Sequence, residues 1–299
     1  MQNFNSKHFT LQEVTDGVFA AIAKDGGGAV GNAGFIDLGD KTIVIDTFNT
    51  PQAAEELKNI AEQLTGRPVT WVVNSHWHGD HIRGNQVFVN SMILASQTTY
   101  QLMKENHPAR IQKQKESVAD LEAYIHSLET QEEKDKKTEN QISFLNEIKC
   151  SLPILNLKLP QYTFKNEFTI HGSRRTAKIL TLGGAHSPCD SILYIPEEEV
   201  IFTGDILFVD THPTLLPESN PSGWLEILGT LKDMKIKHTI PGHGPVGNME
   251  DIAKLEDYIQ MLLDSSDDDI PIAYSDWASP EIFYENRKII KEFCIKAFI

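Results

Sequence analysis

The chain has 299 residues, of which 40% are hydrophobic and 23% charged, and these are the proportions of an ordinary globular protein. Its formal net charge of −15 repels phosphate backbones, so we expect no nucleic acid partner. The start of the sequence has no signal-like apolar segment, so we expect a cytoplasmic protein without membrane association. The three cysteines, Cys150, Cys189 and Cys294, favour reduced thiols over a disulfide framework.

The first part of the chain has the pattern of a β-rich half with one helix. Apolar runs separated by turn sequences such as "DGGG" predict hairpins. The predicted strands are 18–24, 31–38, 41–47, 69–74 and 92–96. Between the third and fourth strands a helix is predicted, because Thr50 can cap its start, Pro51 suits its first turn and Gly66 can end it.

Residues 97–149 have a different composition and are predicted to form a helical insertion. The segment is rich in Glu, Lys and Gln, contains no glycine, and spaces its apolar residues three or four positions apart. Two long helices and a shorter one fit this pattern. We expect the insertion to lie outside the core, as a cap or as the seam of a homodimer.

A second β-rich part follows the insertion. Its predicted strands are 162–170, 176–182, 191–196, 199–204 and 237–240, and its predicted helices are 221–234 and 249–263. The acidic run "DSSDDD" has the composition of a linker and precedes a helical tail. The sequence therefore predicts one domain over 1–263, interrupted by the insertion at about 97–149, and a linker with a helical tail over 264–299.

The stretch "NSHWHGDHIRGN" concentrates four candidate metal ligands directly after a predicted strand. Alternate side chains of an extended loop can point the same way, so His76 and His78 could bind one cation. The chain can then turn at a glycine, so that Asp80 and His81 face a second position. Neutral imidazole and carboxylate are the ligands that zinc favours where one coordination position must stay open. Single histidines are usually surface or core residues, but this density favours a metal site.

The same arrangement recurs three times in the second β-rich part. An apolar run is followed by glycine and then by one residue of a metal-ligand type, as in "LTLGGAHS", "IFTGD" and "TIPGHG". These residues are His186, Asp205 and His243. Because loops converge at strand ends on a rigid frame, we expect them to join the first four ligands in a cage for two metal ions.

The motifs "HWHGDH", "AHS", "TGD" and "PGHG" resemble, in content and in order, the successive metal motifs of the metallo-β-lactamase superfamily. The resemblance covers most of residues 18–250, apart from the insertion. It implies an α/β fold of the four-layer αβ/βα sandwich kind, in which two mixed sheets pack together with helices outside. It also implies one metal held by His76, His78 and His186, a second held by Asp80, His81 and His243, and a bridge formed by Asp205.

Departures from the pattern of true lactamases bear on the substrate. Lactamases of this fold usually lack an acid at the bridging position, and some have cysteine there, so Asp205 points to the wider branch of thioesterases, lactonases and phosphodiesterases. Flavodiiron oxidoreductases of the fold typically carry glutamate at the second histidine of the first motif, whereas His78 is intact. The insertion is longer than in the minimal fold, and it leaves the substrate open.

The expected function is that of a metallo-hydrolase with a dinuclear site. Two divalent cations, with zinc expected and manganese or iron as alternatives, can hold a bridging water and lower its pKa from about 15.7 towards 7. The resulting hydroxide would attack a small-molecule ester, thioester, lactone or lactam. The resemblance suggests that Asp80 would later deliver a proton to the leaving group.

Three alternatives remain open from the sequence. A single-iron oxidoreductase of the same fold, such as a persulfide dioxygenase, would use the histidines of the first site and the bridging acid. A phosphodiesterase or nuclease is disfavoured by the net charge of −15. A metal-binding protein without activity is disfavoured by the complete ligand set.

Residues outside the motifs have lesser roles in this interpretation. Asp46, at the end of "TIVID", could orient a ligand histidine or cap a turn. His212 could reach the substrate, because it follows closely after Asp205. Cys189 is interpreted as a buried thiol and not as a ligand. Four further histidines are interpreted as surface residues: His107, His126, His171 and His238.

Overall fold

The computed structural model describes residues 4–265 and 267–297, with side chains described as far as residue 293. The chain divides into two units. The first unit comprises Met1–Lys165 with His171–Arg175, and the second comprises Asn166–Ile170 with Thr176–Ile299. No helix in the described ranges is both long enough and apolar enough to cross a membrane.

The first unit is built on a seven-stranded mixed sheet. Its strands, in spatial and in chain order, are β1 (Phe9–Thr15), β2 (Val18–Ala23), β3 (Ala33–Asp37), β4 (Thr42–Ile45), β5 (Val69–Val73), β6 (Met92–Ser96) and β7 (Tyr162–Phe164). Strands β1 to β4 pair antiparallel as a meander, and β4 to β7 pair parallel. Because parallel strands run in one direction, the loops that follow β4 and β5 leave the same edge of the sheet.

Five α-helices lie in the described residues of the first unit. They are α1 (Pro51–Thr65), the single turn α2 (Gly79–Ile82), α3 (Gln97–Glu116), α4 (Val118–Glu129) and α5 (Lys136–Ser151). The predicted ends of α1 are confirmed: the Thr50 hydroxyl accepts the N–H of Ala53 over 3.3 Å, and Gly66 ends the helix with a left-handed φ of 69°. Local capping chemistry decides both ends, which is why sequence alone could predict them.

The helical insertion has the predicted two long helices and a shorter one, with 20 residues in α3, 12 in α4 and 16 in α5. The prediction that it lies outside the core is wrong for α3. Four buried residues recur on every fourth position along one face of α3, namely Thr99, Met103, His107 and Ile111. Helix α5 contacts the glycine-rich hairpin between β2 and β3, where the Ser143 hydroxyl donates to the carbonyl oxygen of Gly26 over 2.7 Å.

The second unit is built on a five-stranded sheet in the spatial order β12-β11-β10-β9-β8. Its strands are β8 (Glu167–His171), β9 (Thr176–Thr181), β10 (Ser191–Ile195), β11 (Val200–Phe208) and β12 (His238–His243). Strands β9, β10 and β11 pair antiparallel, whereas β11 and β12 pair parallel. Every residue of β11 is buried, and the strand lies in the interior of its sheet between β10 and β12.

Two strands differ from the sequence-based prediction. The predicted strand 162–170 is divided between the two sheets, because β7 pairs with β6 and β8 lies beside β9. Strand β1 was not predicted. Only Phe9 of that strand is fully buried, since it lies at the edge of its sheet, and such a strand has a weak pattern of alternating apolar residues.

Helices α6 (Pro221–Lys232), α7 (Met249–Asp264) and α8 (Glu281–Ala297) complete the second unit. Its core contains Trp224, Tyr258 and Phe283, all 0% exposed. Phe283 belongs to the segment 264–299, which the sequence predicts to be a linker and a helical tail outside the domain. Fully burying such a side chain contributes about 1.5–3 kcal/mol, so α8 is an integral part of this core.

Candidate metal centre

The loop after β5 brings two of the predicted ligands together. His76 is 1% exposed, and its Nε2 lies 3.0 Å from Nδ1 of His78. Nδ1 of His76 lies 3.0 Å from the hydroxyl oxygen of Ser75. The separation of the two histidine nitrogens is close to that of two nitrogen ligands that bind one zinc ion at about 2.0–2.1 Å. His76 and His78 can therefore act as a pair.

Asp46 anchors this loop from the end of β4. Its backbone φ of 58° is uncommon outside glycine, and such conformations concentrate at functional sites. One carboxylate oxygen accepts the N–H of Ser75 over 2.8 Å, and the other accepts the Ser75 hydroxyl over 2.7 Å. The second oxygen also lies 2.9 Å from Nδ1 of His81, which keeps a hydrogen on that nitrogen. The prediction that Asp46 orients a motif histidine is confirmed.

Asp80 and His81 lie on the helical turn α2 and not on an extended loop. Nε2 of His81 lies 3.5 Å from Oδ2 of Asp80, and the His81 side chain is 0% exposed. The glycine-rich hairpin closes over this imidazole. A Cβ atom at Gly31 would lie 2.6 Å from Cε1 and 2.7 Å from Nε2 of His81, so a larger residue there would displace the ring. The backbone of Gly31 thus forms part of the cradle of His81.

Trp77, between the paired histidines, is held by helix α3. His107 is 1% exposed, and its Nε2 lies 2.7 Å from the carbonyl oxygen of Trp77. Burial lowers the pKa of His107 to about 4, and the nearby cations Arg83 and Arg110 act in the same direction. The interpretation of His107 as a surface residue is therefore wrong. The four-residue spacing of buried positions on α3 was the signal in the sequence that could have found it.

Asp205 lies within β11, not beyond the end of a strand as the sequence predicts. Gly204 precedes it with a φ of 51°, and the pairing of β11 with β12 shifts its register around that glycine. Oδ2 of Asp205 lies 3.3 Å from Nε2 of His186 and 3.4 Å from Nε2 of His243. One carboxylate oxygen therefore faces one nitrogen of His186 and one nitrogen of His243.

His186 is oriented by main-chain groups. It follows β9 in a turn where Gly183 and Gly184 have φ values of 48° and 71°. Its Nδ1 lies 2.9 Å from the carbonyl oxygen of Thr214, and the carbonyl oxygen of His186 accepts the Ser219 hydroxyl over 2.7 Å. Because a carbonyl oxygen can only accept, Nδ1 carries the hydrogen and Nε2 keeps its lone pair for a ligand.

His243 is the last residue of β12 and lies between Gly242 and Gly244. Neighbouring atoms approach both glycines so closely that a larger residue would not fit. A Cβ at Gly242 would lie 1.9 Å from Oδ1 of Asp205, and a Cβ at Gly244 would lie 1.9 Å from the carbonyl oxygen of Val209. The imidazole of His243 stacks on the ring of Phe208, with centroids 5.1 Å apart. Its side chain is 24% exposed, compared with 2% for that of His186. His243 is therefore more accessible than His186.

His212 is buried in the aromatic core of the second unit. It is 2% exposed, its Nδ1 lies 2.9 Å from Oη of Tyr258, and its ring packs edge-on against Trp277 and Phe283. Burial lowers the pKa of His212, which favours the neutral imidazole. The suggested contact with substrate stays a prediction. The Cys189 thiol is buried, as predicted, whereas the side chain of Cys294 lies outside the described residues.

The donor set of each unit fits divalent metal ions. The first unit supplies three imidazoles and a carboxylate, and the second supplies two imidazoles and a carboxylate. These nitrogen and oxygen donors suit zinc, and they also suit manganese and iron. The hydrogen bonds at Nδ1 of His81 and His186 are the outer contacts that metal-binding histidines make in other proteins.

Comparison with known proteins agrees with this geometry. A family model described as the metallo-beta-lactamase superfamily matches residues 26–243. The chain is 19% identical over 271 residues to the metallo-beta-lactamase type 2 of Bacteroides fragilis, covering 87% of this chain and 89% of that protein. A solved metallo-beta-lactamase from Pontibacter korlensis has a TM-score of 0.62 at 17% identity, covering 85% of this chain and 99% of its own.

The crystal structure of the DIM-1 metallo-beta-lactamase is similar to a comparable degree. Its TM-score is 0.61 at 16% identity, and the match covers 85% of this chain and 98% of that one. At these identities the structural likeness shows a shared fold. Together with the two mixed sheets and their helices, it confirms the predicted α/β fold class.

Proposed function

Because the chain belongs to the metallo-β-lactamase superfamily, we propose that it is a metallo-hydrolase with a dinuclear centre, acting on an ester, thioester, lactone or lactam. Membership of the superfamily supports a metal-dependent hydrolase, and histidine and aspartate groups that could hold metal are present in the described residues. The number of ions, their identity as zinc and the class of substrate are the parts that the proposal adds.

The proposed centre uses the seven ligand-type residues that the sequence motifs supply. His76, His78 and His186 would hold the first ion, Asp80, His81 and His243 the second, and Asp205 would bridge them. Distances within each unit support this assignment: Nε2 of His76 lies 3.0 Å from Nδ1 of His78 in the first unit, and Oδ2 of Asp205 lies 3.3 Å from Nε2 of His186 in the second.

The observation that carries the proposal is the position of Asp205. Its Oδ2 lies 3.3 Å from Nε2 of His186 and 3.4 Å from Nε2 of His243, and its side chain is 5% exposed. A buried carboxylate is stabilised by positive charge beside it. Divalent ions held by His186, His243 and Asp205 would supply such charge. The geometry within the second unit therefore supports a bridging role.

Different side chains of the proposed centre would have different roles. Divalent ions held there would supply Lewis-acid activation of water and polarisation of the scissile bond. His76 and His186 are 1% and 2% exposed, so each of these imidazoles is withdrawn from bulk solvent. Asp80 is more open, with a side chain that is 21% exposed. Its carboxylate can therefore reach a substrate, hold a proton and transfer it to a leaving group.

The substrate class is proposed from the bridging acid and from the charge of the chain. Asp205 occupies the position where true lactamases of the fold usually lack an acid, which favours an ester, thioester or lactone. The net charge of −15 disfavours nucleic acids and other polyanions. The printed names of the relatives are those of metallo-beta-lactamases, so β-lactams belong in the same set of test substrates.

Metal analysis combined with a substrate panel tests the proposal. We expect about two zinc-type ions per chain and hydrolysis of at least one lactone, thioester, ester or β-lactam. His186→Ala should lose metal and activity together, whereas His126→Ala, which changes an exposed histidine on α4, should lose neither. One iron per chain with oxygen uptake and no hydrolysis would contradict the proposal and favour a single-iron oxidoreductase of the same fold.

A further inference from the structure

The orientation of the His186 imidazole ring depends on one peptide carbonyl group, that of Thr214. Its Nδ1 donates to the carbonyl oxygen of Thr214 over 2.9 Å, and its Nε2 faces Oδ2 of Asp205 at 3.3 Å. A hydrogen bond at one ring nitrogen fixes both the tautomer and the orientation of the ring. A shift of the Thr214 carbonyl would therefore turn Nε2 away from its ligand position.

One side chain of α8 holds the chain on both sides of Thr214. The Nδ2 group of Asn286 donates to the carbonyl oxygen of Pro213 over 2.6 Å, and its Oδ1 accepts the N–H of Leu215 over 2.9 Å. Because the carbonyl can only accept and the N–H can only donate, these partners determine the orientation of the amide. Asn286 is 0% exposed, so both bonds form away from bulk solvent.

Packing and hydrogen bonds fix α8 in the second unit. Phe283 and Ile290 are 0% and 3% exposed, and the guanidinium of Arg287 donates to the carbonyl oxygens of Leu262 and Ser265 over 2.7 and 2.5 Å. The helix begins at Glu281, whereas the match to the family model ends at residue 243. The contact of Asn286 with the 213–215 segment therefore comes from outside the part of the chain that carries the metal motifs.

We propose that Asn286 is a positioning residue for His186, acting through the Thr214 carbonyl, so that the C-terminal helix sets the direction of a metal ligand. This inference rests on the proposed function, because it requires that His186 binds metal. An asparagine that only satisfied buried peptide groups would affect stability alone. A positioning residue also affects metal binding, and the two roles can therefore be separated by experiment.

Asn286→Asp is the informative variant, because it is isosteric and keeps the acceptor for Leu215 but loses the donor to Pro213. We expect the affinity of the chelator-treated protein for Zn²⁺ to fall about 10–100-fold, the range for lost outer contacts of a ligand. The absorption spectrum of the Co²⁺-substituted protein should change as well, because it reports the ligand geometry. Asn286→Gln is the second variant, to be used if Asn286→Asp does not fold. It should also weaken Zn²⁺ binding, because the longer side chain displaces the amide group.

Arg287→Gln is the matched control, since Arg287 is buried on the same helix and contacts the carbonyl oxygens of Leu262 and Ser265 and the carboxylate of Asp268, none of which belongs to the 213–215 segment. It should lower the midpoint of urea unfolding of the metal-free protein and leave the affinity for Zn²⁺ and the Co²⁺ spectrum unchanged. An equal loss of Zn²⁺ affinity in Arg287→Gln and in the Asn286 variants would overturn the inference, because general loosening of α8 would then explain both.

Metal uptake by His186→Ala, measured in the same experiment, distinguishes a failure of the inference from a failure of the proposed function. If the wild-type protein takes up no metal, or if His186→Ala takes up as much as wild type, the proposed function fails and the inference fails with it. If uptake depends on His186 but the Asn286 variants keep wild-type affinity and an unchanged Co²⁺ spectrum, the positioning role alone is overturned.

Discussion

His107 donates a hydrogen bond from Nε2 to the main-chain carbonyl oxygen of Trp77, and the two atoms lie 2.7 Å apart. Trp77 is the residue between His76 and His78, so this bond joins helix α3 to the loop of the first motif. The guanidinium of Arg110, also on α3, lies 4.6 Å from the centre of a Trp77 ring. The first helix of the insertion therefore supports the metal loop of its own unit.

The buried imidazole of His107 should make stability depend on pH. Burial lowers its folded-state pKa from 6.5 to about 4, so the unfolded chain binds this proton first as the pH falls. Stability is fully present above pH 6.5, falls between 6.5 and about 4, and levels off below that. The contribution of this group amounts to about 3 kcal/mol, from about 1.36 kcal/mol per pKa unit.

Urea unfolding of the metal-free protein at several pH values measures this effect. His107→Gln keeps a donor near the position of Nε2 but cannot titrate, so its unfolding free energy should fall less steeply in that pH range. His126→Gln, at an exposed position on α4, should follow the wild-type curve. A pH dependence in His107→Gln identical to that of wild type would show that the imidazole is not the group responsible.

Asp46→Asn should weaken metal binding more than it weakens folding. Asparagine tolerates the left-handed backbone of Asp46 but removes the charge that supports Nδ1 of His81, and such outer contacts are worth about 10–100-fold in affinity. Competition with a chelator measures the change. Asp210→Asn is the control, because Asp210 has a similar φ of 51° and is exposed. Equal affinities in the two variants would contradict the role of Asp46.

Gly242→Ala should disrupt the carboxylate of Asp205. The added Cβ would lie 1.9 Å from Oδ1, so either the side chain or the strand must move, and we expect metal content and hydrolysis to fall together. Gly229→Ala on helix α6 is the control. Nothing lies within 4 Å of the Cβ at that position, and alanine in a helix is favoured by about 0.5–1 kcal/mol. Full metal content in Gly242→Ala would count against the bridging position of Asp205.

Asp80→Asn tests the chemistry separately from folding. The change keeps the size of the side chain but removes the charge that would help to hold the second ion and the capacity to transfer a proton. We expect hydrolysis to fall by at least about a hundredfold. The melting temperature with metal bound should fall only modestly, because the side chain is partly exposed and supports little packing. Unchanged turnover on the true substrate would show that a second metal position is not catalytic.

The ligand-type residues and helix α1 could be predicted because their signals are local. Four ligand-type residues lie between His76 and His81, and glycines mark the other motifs, so short windows of sequence suffice. The ends of α1 are similarly decided by Thr50, Pro51 and Gly66, which act on backbone groups a few residues away. Local chemistry of this kind needs no knowledge of the rest of the chain.

Only the tertiary structure decided which distant residues support the ligand-type residues. His107 contacts Trp77 from 30 positions away, and Asn286 contacts Leu215 from 71 positions away, so neither pairing leaves a periodic or spaced signal. The assignment of β7 and β8 to different sheets depends on which strand each meets, and their composition does not record it. A hydrogen bond between distant residues depends on where folding brings their backbones, and that is a property of the whole chain.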